Sequence, residues 1–508
     1  MLARVYSANM VGLEPIKIEV EVDGSIGVPN LIFIGLANKT IDEARERITS
    51  ALLHSGIQIQ SKRTLVNLAP ADLQKTGSAL ELSIAAGLLK MYEEITANTD
   101  DTMFFGELSL DGSLKKIKGA LPLALAARQM GFHQIFVPRA NSNELEIISD
   151  LTIFPIDHLT DLINHYRNKP LVPLEPKHFQ PHQSFSPELT FDEIAGQAQA
   201  KRALEIAAAG GHNLLMIGPP GAGKSMLANA LVSILPPLSE TEAIEVSKIY
   251  SIVGLNPDGL ITFRPFRAPH HTTSQVGLIG GGTHLKPGEI SLAHRGVLFL
   301  DELPEFPRIC IEALRQPLEN GQIELSRATG SARFPARFIL VAAANPCPCG
   351  YLFSNQKPCR CSLPVREKYY KKLSGPILDR IDLHIYVQAV PTKNLTDLLQ
   401  NNQDSTQDVN QRIALATKIQ MKRYEKIPSL TRNSELSSKQ VKRLCQINPA
   451  ASQLLNQASS KLNLSVRGYF KVIKVAQTIA DLDGNQTIDR QHIGEALQYR
   501  QLSFDRSR

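Results

Sequence analysis

A glycine-rich stretch near the middle of the sequence has the residue types and the spacing that bind nucleotide phosphates. It follows the short apolar run 213–217 and precedes a segment with a helical pattern. The stretch consists of Gly218, Pro219, Pro220, Gly221, Ala222, Gly223, Lys224 and Ser225. Glycines at this spacing let backbone N–H groups converge on phosphate oxygens, and the dipole of the following helix favours negative charge. We therefore predict a phosphate loop in which Lys224 contacts the β- and γ-phosphates and Ser225 binds Mg²⁺.

Two further apolar runs end in polar side chains that would complete a hydrolytic site. The run 297–300 leads into Asp301 and Glu302, and the run 338–344 leads into Asn345. A carboxylate at the end of a buried strand can hold Mg²⁺, so Asp301 is the second predicted magnesium ligand. Glu302 is the predicted base that activates water. The amide of Asn345 is predicted to orient that water or to sense the γ-phosphate. Together these residues predict an ATPase.

The composition is that of an ordinary folded protein. The chain has 508 residues, of which 43% are hydrophobic and 20% charged, and its net charge is only +6. Most of the basic surplus follows Asn401. The sequence has no apolar run near the ~18 residues of a spanning helix and no secretory signal, so we expect a cytoplasmic protein without membrane contact. Six cysteines could form too few disulfide bonds to stabilise so long a chain, which favours free thiols or a metal site.

Four segments follow one another along the chain. Residues 1–170 alternate strand and helix patterns, and residues 171–188 are rich in proline, which predicts a linker. A second α/β segment, 189–395, contains the predicted nucleotide site. Residues 396–508 have helical spacing with little strand signal, which predicts an all-helical end. The expected fold class is therefore α/β, with an α+β segment in front and a helical segment behind.

Several motifs in this chain resemble those of the AAA+ ATPases, specifically their magnesium-chelatase-like branch. The segment 191–197 resembles the one that lies over adenine, and the residues described above resemble the Walker A, Walker B and sensor 1 motifs. The segment 373–382 resembles the motif of the arginine finger, which implies that Arg380 reaches the ATP of a neighbouring subunit. The segment 464–468 resembles sensor 2, which implies that Arg467 is the cationic residue of a helical lid.

The segment 263–272 resembles an insertion that this branch carries within its second helix. In a ring, such an insertion would face the central channel, where Arg264 and Arg267 could bind a DNA backbone. His270 and His271 are adjacent, but neighbouring side chains point apart on regular elements and no carboxylate partner is evident close by. We therefore expect a structural or pore-loop role for the two histidines rather than a metal site.

Residues 320–337 form a second insertion, whose pattern predicts a β-hairpin with a basic tip. Its arginines include Arg327 and Arg333. In a ring this hairpin would also face the channel and could bind phosphates. The alternative is an ordinary solvated hairpin without a ligand.

The front segment resembles the Lon-protease-like domain of the ComM/YifB proteins, which has a ribosomal-S5-like α+β fold. The resemblance rests on the stretches 67–73, 77–79 and 105–112. A Ser–Lys protease needs a serine nucleophile and a lysine that accepts its proton. Ser78 falls near the serine position, but the lysine position falls at Leu121 or Pro122. We therefore expect a non-proteolytic domain that is a scaffold for ring contacts or DNA entry.

Four of the cysteines form two C-x-C pairs within one loop. They are Cys347, Cys349, Cys359 and Cys361. Four thiolates could hold a structural zinc ion in a tetrahedron. However, C-x-C is tighter than the usual C-x-x-C arrangement, so four reduced thiols are the alternative.

Over its whole length the chain resembles the ComM/YifB family. That resemblance implies a hexameric, ATP-dependent DNA motor that binds single-stranded and branched DNA and drives branch migration during natural transformation. One alternative is a magnesium-chelatase-type ATPase that remodels a protein partner without DNA, although the fused front segment argues against it. A protein unfoldase or protease is disfavoured by the missing lysine and by arginine- and glycine-rich candidate pore segments.

Overall fold

The computed structural model describes most of the chain. The described residues are 2–28, 30–34, 38–58, 63–70, 78–167, 169–180, 189–256, 259–282, 285–327, 330–352, 357–373, 375–389, 405–427 and 430–500. Within the predicted linker, residues 171–180 have no helix or strand, and residues 181–188 lie outside the described part. Among the described residues, none of the helices is both long enough and apolar enough to cross a membrane.

A mixed sheet of seven strands forms the N-terminal region. The strands here are β1 (Leu2–Val11), β2 (Glu14–Ser25), β3 (Asn30–Ile34), β4 (Arg63–Ala69), β5 (Thr102–Phe104), β6 (Glu107–Leu108), β7 (Leu114–Lys115), β8 (Gln134–Pro138) and β9 (Thr152–Ile156). The helices are α1 (Asn38–His54), α2 (Glu81–Met91), α3 (Ala120–Gln129), α4 (Ser142–Leu145) and α5 (Leu159–Tyr166). The order in the sheet is β3-β4-β2-β1-β5-β8-β9, and β6 pairs with β7 separately. Both faces are covered, since Phe136 and its neighbours Ile135 and Val137 are buried in two different cores.

A parallel sheet of five strands forms the central region. The strands here are β10 (Leu214–Ile217), β11 (Phe266–Arg267), β12 (Gly280–Gly281), β13 (Lys286–Pro287), β14 (Val297–Leu300), β15 (Gln322–Arg327), β16 (Gly330–Pro335), β17 (Ile339–Ala344) and β18 (Leu383–Tyr386). The helices are α6 (Ala198–Gly210), α7 (Lys224–Ser233), α8 (Glu240–Val253), α9 (Gln275–Ile279), α10 (Glu289–Leu292), α11 (Arg308–Ala313), α12 (Arg315–Asn320), α13 (Leu363–Lys372) and α14 (Gly375–Leu378). The main sheet has the order β11-β14-β17-β10-β18.

Continuous apolar runs place this sheet in the interior. Leu214 and Met216 are buried in one core, while Leu215 and Ile217 are buried in the core on the opposite face. A parallel sheet covered by helices on both faces needs this pattern, because successive side chains point to opposite sides. The predicted hairpin is confirmed: β15 and β16 pair antiparallel and join Gln322 to Pro335.

Helices dominate the C-terminal region. They are α15 (Thr406–Tyr424), α16 (Ser438–Leu444), α17 (Pro449–Lys461), α18 (Val466–Leu482) and α19 (Arg490–Gln498). The expectation of an all-helical end is wrong in one detail. Two short strands, β19 (Gln446–Ile447) and β20 (Thr487–Ile488), pair in parallel. Elements of two residues have no periodicity that a sequence pattern could reveal. Val475 and Ile479 of α18 share the core that covers one face of the central sheet, so these helices pack directly on it.

Candidate nucleotide-binding site

The phosphate loop, Asp301 and Asn345 lie together at one edge of the central sheet. Gly218 follows β10, Asp301 follows β14 and Asn345 follows β17. The three strands are neighbours and run parallel, so their carboxyl ends meet at the same edge. In open α/β sheets this edge is where ligands bind. Residues far apart in the sequence are therefore brought into one site.

The shape of the loop depends on two glycines whose backbone conformation favours glycine over other residues. Gly221 and Gly223 have φ angles of +75° and +83°, which other residues rarely adopt. A Cβ added to either glycine would meet nothing within 4 Å, so the loop is open on that side. Helix α7 begins immediately afterwards at Lys224. The backbone N–H groups in the first turn of a helix have no partners within the helix, so those of α7 can bind a phosphate held by the loop.

Lys224 ties the phosphate loop to the end of β17. Its ammonium group donates to the carbonyl oxygens of Gly218 at 2.8 Å and Pro219 at 3.0 Å, and to Oδ1 of Asn345 at 3.2 Å. Burial lowers the pKa of Lys224, while the nearby carboxylates of Asp301 and Glu302 oppose that shift. The ammonium is therefore held where phosphate oxygens would meet it.

Ser225 and Asp301 form a pair of oxygen ligands suitable for Mg²⁺. The Ser225 hydroxyl donates to Oδ2 of Asp301 at 3.1 Å. Magnesium prefers hard oxygen ligands and is commonly held by one or two protein groups together with substrate phosphates. The two side chains therefore fit the ion for which the sequence predicts them.

Glu302 occupies an unusual backbone conformation beside a histidine. Its φ angle is +50°, and its N–H donates to Oδ1 of Asp301 at 2.9 Å. Strained backbone of this kind is concentrated at functional sites. Nδ1 of His271 lies 3.6 Å from Oε2 of Glu302. The expectation that the histidine pair has no carboxylate close by is therefore wrong, because folding brings the 263–272 segment onto the end of β14.

Arg380 and Arg467 lie at the opposite edge of the sheet from the phosphate loop. The Asn213 backbone N–H, just before β10, donates to Asp382 at 3.0 Å, and the Asn213 side chain donates to the Arg380 carbonyl at 3.4 Å. These residues mark the amino ends of the strands. Because β10 has four residues, the two edges are roughly 13 Å apart at about 3.3 Å per residue.

The carboxylate of Glu319 contacts both arginines at that edge. Oε1 of Glu319 lies 2.5 Å from Arg380 and 2.9 Å from Arg467. Arg380 is buried, and its Nε has no hydrogen-bond partner among the described residues. Lys471 and Lys474 line the same cleft. Both arginines line a cleft that is separate from the phosphate loop of their own chain; Arg467 is 60% exposed there, whereas Arg380 is enclosed by Glu319 and by the Pro376 carbonyl, to which it donates at 2.6 Å.

Comparison with known proteins shows similarity along the whole chain. Sequence models match residues 190–395 ("Magnesium chelatase, subunit ChlI"), 20–141 ("Subunit ChlI of Mg-chelatase") and 403–500 ("Magnesium chelatase, subunit ChlI C-terminal"). The Competence protein ComM of Haemophilus influenzae is 42% identical over 99% of this chain and 98% of its own length. YifB of Escherichia coli is 41% identical over 99% and 97%. The chain belongs to the ComM/YifB family.

Similarity to the magnesium chelatases is more limited. The Magnesium-chelatase 38 kDa subunit of Rhodobacter capsulatus is 29% identical over 32% of this chain and 51% of its own length. The family model over residues 190–395 nevertheless shows that this ComM/YifB chain has a magnesium-chelatase-like AAA+ ATPase region.

The arginines predicted to contact DNA have very different surroundings. Arg264 is buried and donates to the carbonyls of Pro236 and Arg295 at 2.5 and 2.6 Å and to Glu242 at 2.9 Å. Burial lowers the pKa of Arg264 to about 9. We correct the prediction for Arg264, because a guanidinium enclosed by carbonyls and a carboxylate is not available to a phosphate.

The other three candidate arginines also differ in how exposed their side chains are. Arg267 ends β11 and forms two hydrogen bonds, 2.6 and 2.7 Å long, to the carboxylate of Glu289. Arg333, on β16, is 67% exposed and pairs with Glu324 at 2.9 Å. Arg327 ends β15, and its side chain lies outside the described part. Of the candidates whose side chains are described, Arg333 is the one whose side chain lies open to solvent.

The four cysteines of this ComM/YifB chain converge in space and could hold a metal ion. Their sulfur atoms all lie within 4.8 Å of one another. Those of Cys347, Cys349 and Cys359 are 3.3 to 3.6 Å apart. Cys347 is buried, whereas the other three are partly exposed. The loop that carries them directly follows Asn345 of the nucleotide site.

The predicted protease positions of the front segment offer no lysine where the resemblance places one. Leu121 and Pro122 lie buried in α3. Lys116, which is nearby in sequence, donates to the carbonyl of Asn256 at 3.1 Å. Ser78 begins a short 3₁₀ turn, and its side chain lies outside the described residues.

Proposed function

We propose that this chain is a hexameric ATP-dependent motor that acts on DNA and promotes branch migration during natural transformation and homologous recombination. The observation that carries the proposal is the division of the ATPase residues between two edges of one sheet. The phosphate loop and Glu302 lie at the carboxyl ends of the strands, and Arg380 and Arg467 lie at the amino ends. A chain arranged in this way needs a second copy to complete a hydrolytic site.

The separation supports a ring rather than a two-fold dimer. Each chain would present its phosphate loop to one neighbour and its arginine pair to the other. Such a head-to-tail interface joins two different surfaces, and it generates a ring when the rotation closes. Six subunits are what the resemblance to AAA+ ATPases implies. In this arrangement, ATP would be hydrolysed at the interfaces between subunits.

In the proposed reaction, the phosphate loop and Lys224 bind the β- and γ-phosphates, while Ser225 and Asp301 hold Mg²⁺. The ion neutralises charge on the phosphate oxygens when it is bound. Glu302 accepts a proton from water as the water oxygen bonds to the γ-phosphorus and the bond to ADP breaks. Asn345 lies against Lys224 and orients the same water.

The arginines act across the interface. In phosphoryl transfer, negative charge spreads over the equatorial oxygens of the transferred group, and a cation aimed there stabilises the transition state. Arg380 and Arg467 supply that charge to the neighbour's nucleotide. Their shared contact with Glu319 keeps them together in the free chain, and Arg380 would leave Glu319 to reach the neighbour's nucleotide.

DNA is proposed as the substrate for two reasons. The relative from Haemophilus influenzae, which matches nearly all of this chain, is named a competence protein. In addition, the β15–β16 hairpin carries the exposed Arg333, which could reach a phosphate backbone in a ring channel. Single-stranded and branched DNA are the proposed forms of this substrate.

Further proposals concern the cofactors and the front region. ATP with Mg²⁺ is the proposed nucleotide, and a structural zinc ion is proposed for the four cysteines. The N-terminal region is proposed to be a Lon-like, non-proteolytic scaffold, because apolar side chains stand where a lysine base would be needed. The C-terminal helices are proposed to form the helical lid.

ATPase assays with different DNA forms test the proposal. We expect ATP turnover to rise severalfold with forked or four-way DNA. We also expect turnover to be lost in Lys224→Ala, which cannot bind the phosphates normally, and in Glu302→Gln, which binds ATP without activating water. Turnover that no DNA form changes would contradict the DNA motor.

A second function is favoured by the match to magnesium-chelatase families over much of the chain. In that case, the ATPase would remodel a protein partner without DNA. The same assay separates the two functions, because partner remodelling predicts an ATPase that is active but indifferent to DNA.

A further inference from the structure

We infer that the four cysteines form a zinc site that fastens the loop after β17 to the phosphate loop, so that ATP hydrolysis depends on the bound metal. This goes beyond a structural ion, since it assigns the metal a part in holding the catalytic geometry, and it rests on the proposed ATPase. Five observations carry it: sulfur spacing, hydrogen bonds to sulfur, loop anchorage, the Gly350–Pro220 contact and the position of Asn345.

The sulfur spacing suits a tetrahedral metal ion. With zinc–sulfur bonds of about 2.3 Å, the sulfur atoms of a tetrahedron lie about 3.8 Å apart. The sulfur atoms of Cys347, Cys349 and Cys359 are separated by 3.3, 3.6 and 3.6 Å, and all four lie within 4.8 Å. These distances are far above the ~2.05 Å of a disulfide. The set is therefore arranged as four separate sulfur atoms around one point.

Backbone groups of the loop support thiolates at this point. The N–H of Leu352 lies 3.3 Å from the Cys347 sulfur, and the N–H of Cys361 lies 3.4 Å from the Cys359 sulfur. N–H groups directed at sulfur stabilise the deprotonated form, which is the form that binds metal. All-sulfur tetrahedral sites hold zinc or iron, and a site with four protein ligands has no open position for catalysis.

The two C-x-C pairs stand at the two ends of a loop that is anchored to the nucleotide site. Cys347 follows Asn345 by two residues, and Cys361 directly precedes Ser362, the residue just before α13. Helix α13 then returns to the start of the loop. Its Tyr369 hydroxyl donates to the Asn345 carbonyl at 3.2 Å, and its Tyr370 hydroxyl donates to the Pro346 carbonyl at 2.6 Å. One metal ion would close this loop on itself.

The closed loop contacts the phosphate loop at Gly350. A Cβ placed on Gly350 would lie 2.6 Å from Cδ of Pro220, and the φ angle of Gly350 is +81°. Only glycine permits so close an approach in that conformation. The metal-bound loop therefore touches the nucleotide site twice: at Pro220 in the phosphate loop, and through Asn345, which accepts a hydrogen bond from Lys224.

The first test combines metal content and turnover in the full-length chain. Elemental analysis of the purified protein is expected to find one zinc per chain. The double variant Cys359→Ser/Cys361→Ser is expected to lose that zinc and at least tenfold of the ATP turnover. Cys445→Ala removes a buried thiol outside the cluster and is the matched control; it is expected to keep both.

A second variant separates the contact from the metal and from misfolding. Gly350→Ala leaves all four thiols in place but forces a methyl group onto Pro220, so we expect full zinc content with turnover at least fivefold lower. Gly131→Ala introduces a side chain at a similar φ of +85°, where nothing lies within 4 Å, and is expected to leave turnover unchanged.

Each outcome decides a separate point. Less than half an equivalent of zinc in the parent chain, or another metal in its place, overturns the zinc assignment. Zinc loss with unchanged turnover, or Gly350→Ala with normal turnover, overturns the fastening role. A parent chain that holds one zinc but never hydrolyses ATP overturns the proposed ATPase instead, and leaves the metal site standing.

Discussion

Arg380 and Arg467 meet on a single oxygen atom, Oε1 of Glu319, at 2.5 and 2.9 Å. The first arginine follows α14 in the central region, and the second lies in the first turn of α18 in the C-terminal region. Glu319 stands near the end of α12, immediately before the β15–β16 hairpin. The arginine pair therefore touches the base of the hairpin that we propose to contact DNA. A movement of that hairpin would act on both arginines at once.

The first prediction concerns complementation between two inactive chains. Arg380→Ala is expected to bind ATP and assemble but to lose at least a hundredfold in turnover, because an arginine finger contributes about 10³–10⁵. Mixing it with Lys224→Ala should restore part of the activity. Where an Arg380→Ala chain binds ATP next to a Lys224→Ala chain, the first supplies an intact Lys224 and the second an intact Arg380. Turnover is measured against the total concentration of chains. A mixture as inactive as its components would show that the arginine serves its own chain.

The second prediction assigns a positioning role to His271. Its ring lies 3.6 Å from the Glu302 carboxylate, so His271→Ala should let that carboxylate leave its place. We expect kcat to fall roughly tenfold, equivalent to about 1.4 kcal/mol, with KM for ATP unchanged. His270→Ala is the comparison: the His270 ring contacts Thr272 and lies 4.0 Å from the His271 ring, so this variant should lose less activity than His271→Ala. If both variants lose the same activity, the effect belongs to the loop rather than to the contact with Glu302.

The third prediction contrasts two arginines of the proposed DNA surface. Arg333→Ala removes an exposed charge, so DNA binding should weaken and its dependence on log salt concentration should become shallower by about one unit, with stability unchanged. Arg264→Ala should instead lower stability, because it removes the buried partner of three carbonyl groups and the closer of the two arginines that pair with Glu242. Fluorescence anisotropy and thermal unfolding distinguish the two. Equal DNA affinity for Arg333→Ala and the parent would remove the hairpin from the channel surface.

The fourth prediction concerns the buried carboxylate that joins the central sheet to α18. Asp382 accepts from the Asn213 N–H and forms an ion pair with Lys471. Asp382→Asn leaves the buried ammonium without its counter-charge, and we expect the free energy of unfolding to fall by about 3 kcal/mol. Chemical denaturation measures this. Lys474→Met, which removes a cation of the same cleft that does not pair with Asp382, is the comparison; an equal loss there would contradict a specific pair.

The pH dependence of that carboxylate has a definite sign. Burial alone would raise the pKa of Asp382, but the charge of Lys471 and the His212 ring, whose Nδ1 lies 3.6 Å away, hold it far below its usual value of about 3.9. Because the folded-state pKa lies below the unfolded-state value, the stabilisation is complete above about pH 4 and is lost progressively at lower pH. The difference in unfolding free energy between the parent and Asp382→Asn should therefore shrink as the pH falls below 4.

Local sequence patterns predict the residues of the candidate hydrolytic site, because each strand and the polar residue after it are contiguous. The apolar run 297–300 and the carboxylates behind it need no tertiary information. The hairpin at 320–337 is predictable for the same reason. By contrast, the contact between His271 and Glu302 depends on how the 263–272 segment packs over β14, which no local pattern contains.

Two further outcomes depend on the tertiary structure. Arg264 has the sequence character of an exposed basic insertion, yet it is enclosed by carbonyls and Glu242, because arginine can satisfy several buried acceptors at once. The placement of Arg467 beside Arg380 depends on where the C-terminal helices dock on the sheet. The motif identifies the residue but not the edge of the sheet to which it is delivered.

The opposite placement of the phosphate loop and the arginine pair has a consequence for the cell's energy supply. In the proposed arrangement, a solitary chain would bind ATP without the cations that complete its site, so ATP consumption would rise steeply with the abundance of the protein. Newly made or scattered copies would stay idle until enough of them gather. A faulty subunit would silence a site that it shares with an intact neighbour, so a defect in one chain would also lower the activity of a chain that has none.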